Sequence, residues 1–179
     1  HETRLLTTGH IVDIFDDVFD YSECNNFNLF CQSTGYYCTN SSPLNEHNTN
    51  GGMASHLNDI DLEYFGFFKS YNIKPIMDKL GDRQRFKSWI TLFKYMPDVY
   101  YHIDNDELTS KTLLYYCNIV WEPNYGGETI ICNPKGEPEL AIASRPNRVV
   151  LFDSYLPHKP TGLSPLAAGN RFSFVSIFK

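Results

Sequence analysis

Tyr100-Tyr101-His102-Ile103-Asp104 is a short run rich in aromatic and β-branched residues, and with Val99 before it the run predicts a β-strand over Val99 to Asp104. Residues two apart on a strand point to the same face, so His102 and Asp104 aim side by side. A neutral imidazole and a carboxylate on one face are two ligands for a hard or borderline cation. A second histidine would complete the two-His, one-carboxylate set with open positions that suits non-haem Fe(II). His-x-Asp is a weak pattern by itself in a chain of 179 residues with six histidines, and its weight comes from what surrounds it.

Outward from that run the chain reads as short strands and turns. Phe86 to Phe93 forms the strand before it, and Thr112 to Trp121, Glu128 to Cys132, Glu139 to Ala143, Arg148 to Asp153 and Arg171 to Phe178 follow. Asn124-Tyr125-Gly126-Gly127 and Asn133-Pro134-Lys135-Gly136 are the turns between them. Short strands at turn-punctuated intervals predict two packed sheets in a jelly roll. His158 follows the strand Arg148-Val149-Val150-Leu151-Phe152 and sits between Pro157 and Pro160, where a lone histidine would ordinarily be exposed loop. Arg171 opens the last strand, and Ser173 shares its face. Arg148 and the Gly126-Gly127 pair read as structural.

This ordered set resembles the 2-oxoglutarate- and Fe(II)-dependent oxygenases, and within them the prolyl 4-hydroxylase-like branch. The similar pieces are Lys94-Tyr95, His102-x-Asp104, Leu114-Tyr115-Tyr116-Cys117-Asn118, Gly126-Gly127-Glu128-Thr129, Arg148 to Phe152, His158-Lys159-Pro160 and Gly169-Asn170-Arg171-Phe172-Ser173. They cover about residues 86 to 178. The resemblance implies one domain over residues 1–179, with a jelly-roll, double-stranded β-helix core over about 86–179 and a strand-and-helix support over about 1–85. The fold class is thus mainly β with flanking helices (α+β). It implies Fe(II) on His102, Asp104 and His158, with His158 at a distance from His102 similar to the family's. It implies that Arg171, a two-donor fork, meets the far carboxylate of 2-oxoglutarate, with Ser173 and Tyr116 assisting and Tyr95 near the metal-proximal end of the cosubstrate. The interval from His158 to Arg171 is slightly long for the family, which makes Gly162 to Ala168 a small insertion.

The implied activity is a dioxygenase reaction. O₂ and 2-oxoglutarate are consumed, succinate and CO₂ are released, and an unactivated C–H bond is hydroxylated, with ascorbate as a supporting reductant. A prolyl or similar residue in a peptide or protein is the expected substrate. The alternatives are the same chemistry on a free amino acid or other small molecule, and a non-catalytic metal-binding jelly roll, which would have no need of Arg171 and Ser173.

Composition agrees with a folded chain: 42% hydrophobic and 15% aromatic residues. The net charge of −6 lacks the basic footprint of a nucleic-acid binder. No apolar run approaches the roughly 18 residues of a membrane span, and the start His1-Glu2-Thr3-Arg4 has no secretory pattern. The five cysteines fit no zinc spacing and read as reduced, mostly buried thiols of a cytoplasmic protein.

In the N-terminal half, Ile11 to Phe19 predicts a strand running into a turn, and Ser22 a cap for a helix through Phe30. Thr39 to Asn58, rich in Asn, Ser and Gly, predicts a long loop bordering the site as a lid, with His47 and His56 solvated. Helix signal returns from Leu62 to Leu80. There Ile73, Ile76, Met77 and Leu80 share a face, Pro75 lies in the first turn and Gly81 ends the helix. Asp106 and Glu107 read as a solvated loop after the ligand pair.

Overall fold

Eleven strands form two antiparallel sheets in the computed structural model, which describes residues 1–38, 52–94 and 100–179, with Cys38 as backbone only. The larger sheet runs, in spatial order, β1 (Glu2–Leu5), β2 (Ile11–Asp16), β9 (Arg148–Asp153), β6 (Lys111–Tyr116), β11 (Arg171–Phe178), β5 (Arg85–Phe93), β4 (Gly52–His56) and β3 (Tyr37–Cys38). The smaller runs β10 (His158–Pro160), β7 (Thr129–Cys132) and β8 (Pro138–Ile142). This is the jelly-roll, double-stranded β-helix arrangement with helices on one side.

Period-two alternation sends each strand's side chains to two different cores. Phe172, Phe174 and Phe178 of β11, Ile90 and Leu92 of β5, and Leu113 and Tyr115 of β6 face the helices. There they meet Phe19, Phe27, Phe65 and Phe67, with ring centroids as close as 4.8 Å for Phe67 and Phe174. Val175, Leu114, Tyr116, Val150 and Phe152 face the other way, against Ile131, Ile142 and Leu156 beneath the smaller sheet. Tyr115 and Tyr116, adjacent in sequence, therefore belong to different cores. Each large apolar side chain buried this way contributes about 1.5–3 kcal/mol.

Among the described residues, three α-helices cover the back of the larger sheet. α1 spans Tyr21–Ser33, and its cap is Asp20, which accepts from the Glu23 amide while Glu23 reaches back to the Asp20 amide. The expected cap, Ser22, is one turn position inside the helix: Asp20 holds the capping-box spacing to Glu23, and a carboxylate there also suits the helix N-terminus. α2 (Asp59–Phe65) ends at Gly66 in the left-handed conformation, φ 76°. Two 3₁₀ turns then lead into α3 (Lys74–Leu80), which carries Pro75 in its first turn and stops at Gly81.

Further expectations change. Residues 100–104 do not form a strand: His102 alone makes a β-bridge, to His158. The backbone leaves the ladder because the Asp104 and Asn105 amides both turn to the Ser154 carbonyl, at 2.9 and 3.3 Å. The strand expected through Trp121 ends at Tyr116. Part of the expected loop from Thr39 to Asn58 is strand β4, paired with β5 through Gly52↔Phe93 and His56↔Trp89. The rest of it, residues 39–51, including His47, lies outside the described residues. The β1 strand, paired with β2, was not anticipated, since its polar residues show no apolar alternation.

Candidate active site

His102 and Asp104 sit on the connection between β5 and β6, and His158 is the first residue of β10. The bridge locks them together: the His102 amide donates to the His158 carbonyl at 3.0 Å and the His158 amide returns to the His102 carbonyl at 2.9 Å. The rings stand 4.4 Å apart between centroids. Asp104 Oδ1 lies 3.8 Å from His102 Nε2, and Oδ2 lies 3.4 Å from His158 Nε2. One ligand atom from each of the three side chains falls within a 4.8 Å span, the donor set of a single metal ion.

Backbone carbonyls orient both rings. His158 Nδ1 lies 3.0 Å from the Leu156 carbonyl, and His102 Nδ1 lies 3.4 Å from that of Tyr100. A carbonyl only accepts, so the proton sits on Nδ1 and the Nε2 lone pair is left for a metal. Desolvation and, next, the neighbouring His158 hold His102 down to about 4, against the pull of Asp104. Its outer face is open, with 45% of the side chain exposed, but the direction matters: a neutral ring is the ligand form.

The Asp104 side chain is 5% exposed. Its one hydrogen-bond donor among the described residues is Thr112, whose Oγ1 is 2.8 Å from Oδ2. No Lys or Arg of the described residues pairs with it. A buried carboxylate with no Lys or Arg partner calls for a cation, which the three ligand atoms are placed to hold.

The same cavity has Arg171 at its other end. Arg171 is 2% exposed. Its Nε donates to Ser144 Oγ at 3.1 Å and Nη1 to Ser173 Oγ at 3.3 Å, while Tyr116 and Phe93 present ring faces to its Cζ at 5.1 and 5.7 Å. Burial pulls it below its ordinary value, yet a guanidinium stays protonated in a protein. No carboxylate of the described residues lies within ion-pair distance; Glu128 acts on it only from further away. Gly127, at φ +78°, makes the passage: a Cβ there would stand 2.8 Å from Arg171 Cδ. The walls between the two ends are apolar, from Phe93, Leu114, Phe152 and Val175. Charge balance thus calls for a cation at one end and an anion at the other.

His102, Asp104, His158, Arg171 and Ser173 therefore meet as anticipated around one cavity. Tyr116 stands under Arg171, but its hydroxyl donates to Thr129 Oγ1 at 2.8 Å, and Thr129 lines the cavity in its place. Tyr95 lies outside the described residues. His56 is not among the metal-end residues; it stacks on Tyr37 and is tilted against Trp89. Thr112, Thr129, Ser144 and Ser154 were not anticipated. Period-two spacing from Tyr116 reaches Thr112 through Leu114, which is the one signal that pointed there.

Cavity, donor set and jelly roll define a metal- and anion-binding β-helix protein of the oxygenase kind. The family model of the 2OG-Fe(II) oxygenase superfamily matches residues 90–179, just over half of the chain, and the chain belongs to that superfamily. It is a 2-oxoglutarate-dependent dioxygenase whose cofactors are iron and 2-oxoglutarate. No curated protein matches the sequence. Among solved structures it is similar to a prolyl hydroxylase from Trichoplax adhaerens in complex with a hypoxia-inducible factor peptide (TM-score 0.70, 16% identity, 93% of this chain and 82% of that one). It is similar to a Pseudomonas putida prolyl-4-hydroxylase (0.66, 13%, 96% and 94%). It is also similar to HygX from Streptomyces hygroscopicus with nickel and 2-oxoglutarate bound (0.68, 12%, 93% and 82%). At these identities the likeness is one of fold. No helix among the described residues is long and apolar enough to cross a membrane.

Proposed function

We propose that the protein hydroxylates a prolyl or similar residue in a peptide, with Fe(II) held by His102 Nε2, Asp104 and His158 Nε2. In this reading Arg171, with Ser173, receives the far carboxylate of 2-oxoglutarate. The observation that carries it is the pairing of two uncompensated buried charges, Asp104 and Arg171, at opposite ends of one apolar cavity. Bound iron and 2-oxoglutarate supply the oxidative chemistry, in which loss of CO₂ is coupled to hydroxylation of a C–H bond.

The chain's own residues orient and exclude. The Leu156 and Tyr100 carbonyls fix the imidazoles with Nε2 inward. Tyr116 and Phe93 sandwich the guanidinium, and Ser144 and Ser173 take two of its protons, leaving the rest of the fork for a carboxylate. Phe152 packs edge-on against His158 at 4.8 Å and keeps water from that ligand.

The peptide reading draws on the rim at the metal end, where Tyr100, Tyr101 and Ile103 expose 55, 42 and 47% of their surface beside His102. An apolar rim of this kind suits a chain laid across the mouth. A second reading, a small-molecule substrate, is favoured by the fold likeness to HygX, solved with hygromycin B. A mass-spectrometric screen of proline-containing peptides and free amino acids, with iron, 2-oxoglutarate and ascorbate, separates them. A +16 Da peptide product is expected. Hydroxylation confined to free amino acids or other small molecules would overturn the peptide assignment.

A further inference from the structure

Two oxygens of Asp104 face the metal end, and they are not equivalent. Oδ2 has Thr112 Oγ1 at 2.8 Å, whereas Oδ1 has no hydrogen-bond donor among the described residues. Thr112 is 1% exposed and itself lies 2.9 Å from Ser154 Oγ, which is fully buried. A carboxylate only accepts, so the Thr112 proton points at Oδ2. Ser154 grips the aspartate a second time, because its carbonyl takes the Asp104 amide at 2.9 Å. The carboxylate is held at side chain and backbone by one pair of residues from β6 and the end of β9.

We propose that Thr112, backed by Ser154, is the positioning residue that keeps Asp104 a one-oxygen ligand. The proposal rests on the iron site assigned above. A carboxylate can give a cation one oxygen or both. With both, Asp104 and the two histidines fill four of six positions and leave two. A 2-oxo acid needs two for itself and O₂ needs a third. A proton donated to Oδ2 takes up one of that oxygen's two acceptor sites, draws on its charge and fixes the carboxylate's orientation, which disfavours a second bond to the metal and keeps the three positions open. Nothing else among the described residues does this: Oδ2 has no other donor, and Oδ1 has none.

The test uses Thr112→Val, which keeps the shape and removes the donor, and Thr112→Ser, which restores it. The probes are Mn(II) and Co(II) binding to the whole protein, the visible spectrum of the Co(II) form, and 2-oxoglutarate titration by calorimetry under argon with Mn(II) loaded. Thr112→Val should bind Mn(II) within about tenfold of the parent. Its 2-oxoglutarate affinity should fall by about tenfold or more, and its Co(II) bands should shift as the aspartate changes from one donor to two. Thr112→Ser should recover both. A variant whose 2-oxoglutarate affinity stays within threefold and whose Co(II) spectrum is unchanged would overturn the role. Should Thr112→Val not fold, Thr112→Ala carries the same comparison. If the parent itself binds neither Mn(II) nor 2-oxoglutarate, the site assignment falls and the Thr112 role with it; a parent that binds both beside an unaltered variant overturns the Thr112 role alone.

Discussion

His102 and His158 are joined by two backbone hydrogen bonds, 3.0 and 2.9 Å long, that run in opposite directions between them. Two residues far apart in the chain are thereby placed by main-chain geometry, before either ring is considered. The ring positions follow from carbonyls two residues earlier in each case. A metal site built this way is rigid without its metal, so ligand substitutions should act on binding and not on folding.

Asp104→Ala should abolish stoichiometric Mn(II) binding and leave a folded protein that is no less stable than the metal-free parent, since it removes an uncompensated buried carboxylate. Mn(II) at about a hundred times its Kd should stabilise the parent by about 2.7 kcal/mol and the variant not at all. Thermal melts with and without Mn(II) measure this; an equal Mn(II)-induced rise in both proteins would remove Asp104 from the site.

Arg171→Ala should weaken 2-oxoglutarate binding by about 3–5 kcal/mol, because the carboxylate is left buried without its partner. Arg171→Lys keeps the charge and loses the fork, so part of the affinity remains. Ser173→Ala removes one hydrogen bond and costs about 1 kcal/mol. Calorimetry under argon with Mn(II) bound reads all three, and an Arg171→Ala affinity within threefold of the parent would place the cosubstrate elsewhere.

Gly127→Ala brings a methyl carbon 2.8 Å from Arg171 Cδ and 2.9 Å from Leu163 Cδ2, at a backbone φ of +78°. Destabilisation of roughly 1–3 kcal/mol is expected, together with weaker 2-oxoglutarate binding as the guanidinium shifts. Gly136→Ala, at φ +83° with open space around it, should show only the backbone cost of roughly 1 kcal/mol. Urea denaturation and calorimetry on the pair separate crowding from strain.

Arg148 grips Asp16 through Nε at 2.6 Å and Nη2 at 3.0 Å, across the β2–β9 pairing. The Arg148 hydrogen bond holds Asp16 below its ordinary 3.8. The pair's stabilisation, about 1 kcal/mol, is therefore complete above 3.8 and is lost as pH falls through the lower folded value. Asp16→Asn should be less stable than the parent at pH 7, with the gap narrowing as pH falls below 3.8; a gap that does not change with pH would assign it to packing.

The cavity was legible because its members obey strand alternation or flank a strand: Arg171 and Ser173 on one face of β11, and His158 beyond β9. His102 and Asp104 were found through an alternation argument even though residues 100–104 make only a single bridge, since a two-residue offset brings the side chains together in either conformation here. β4 was hidden because Gly52, Ser55 and His56 carry loop chemistry and owe their strand to pairing with β5. Ser144 was not legible, because a hydroxyl's partner is set by tertiary contact; alternation along β6 put Thr112 on the cavity face but did not name Asp104 as its partner. Arg148, read as structural, holds Asp16 across the β2–β9 pairing. Both glycines have a second duty: a Cβ on Gly127 would meet Arg171 and Leu163, and one on Gly126 would meet the Gly162 carbonyl.

β11 is the one strand among those described that joins β5, β4 and β3 to the remainder of the larger sheet. From Ser173 to Phe178 it is paired with β5 on one side and β6 on the other, and its two faces belong to the cavity and to the aromatic core. Such a strand cannot loosen locally. Solvent reaches its amides only when the sheet divides in two, so hydrogen exchange in β11 should proceed at the rate of whole-protein opening. The wall that β11 gives the cavity would then open no more often than the protein unfolds.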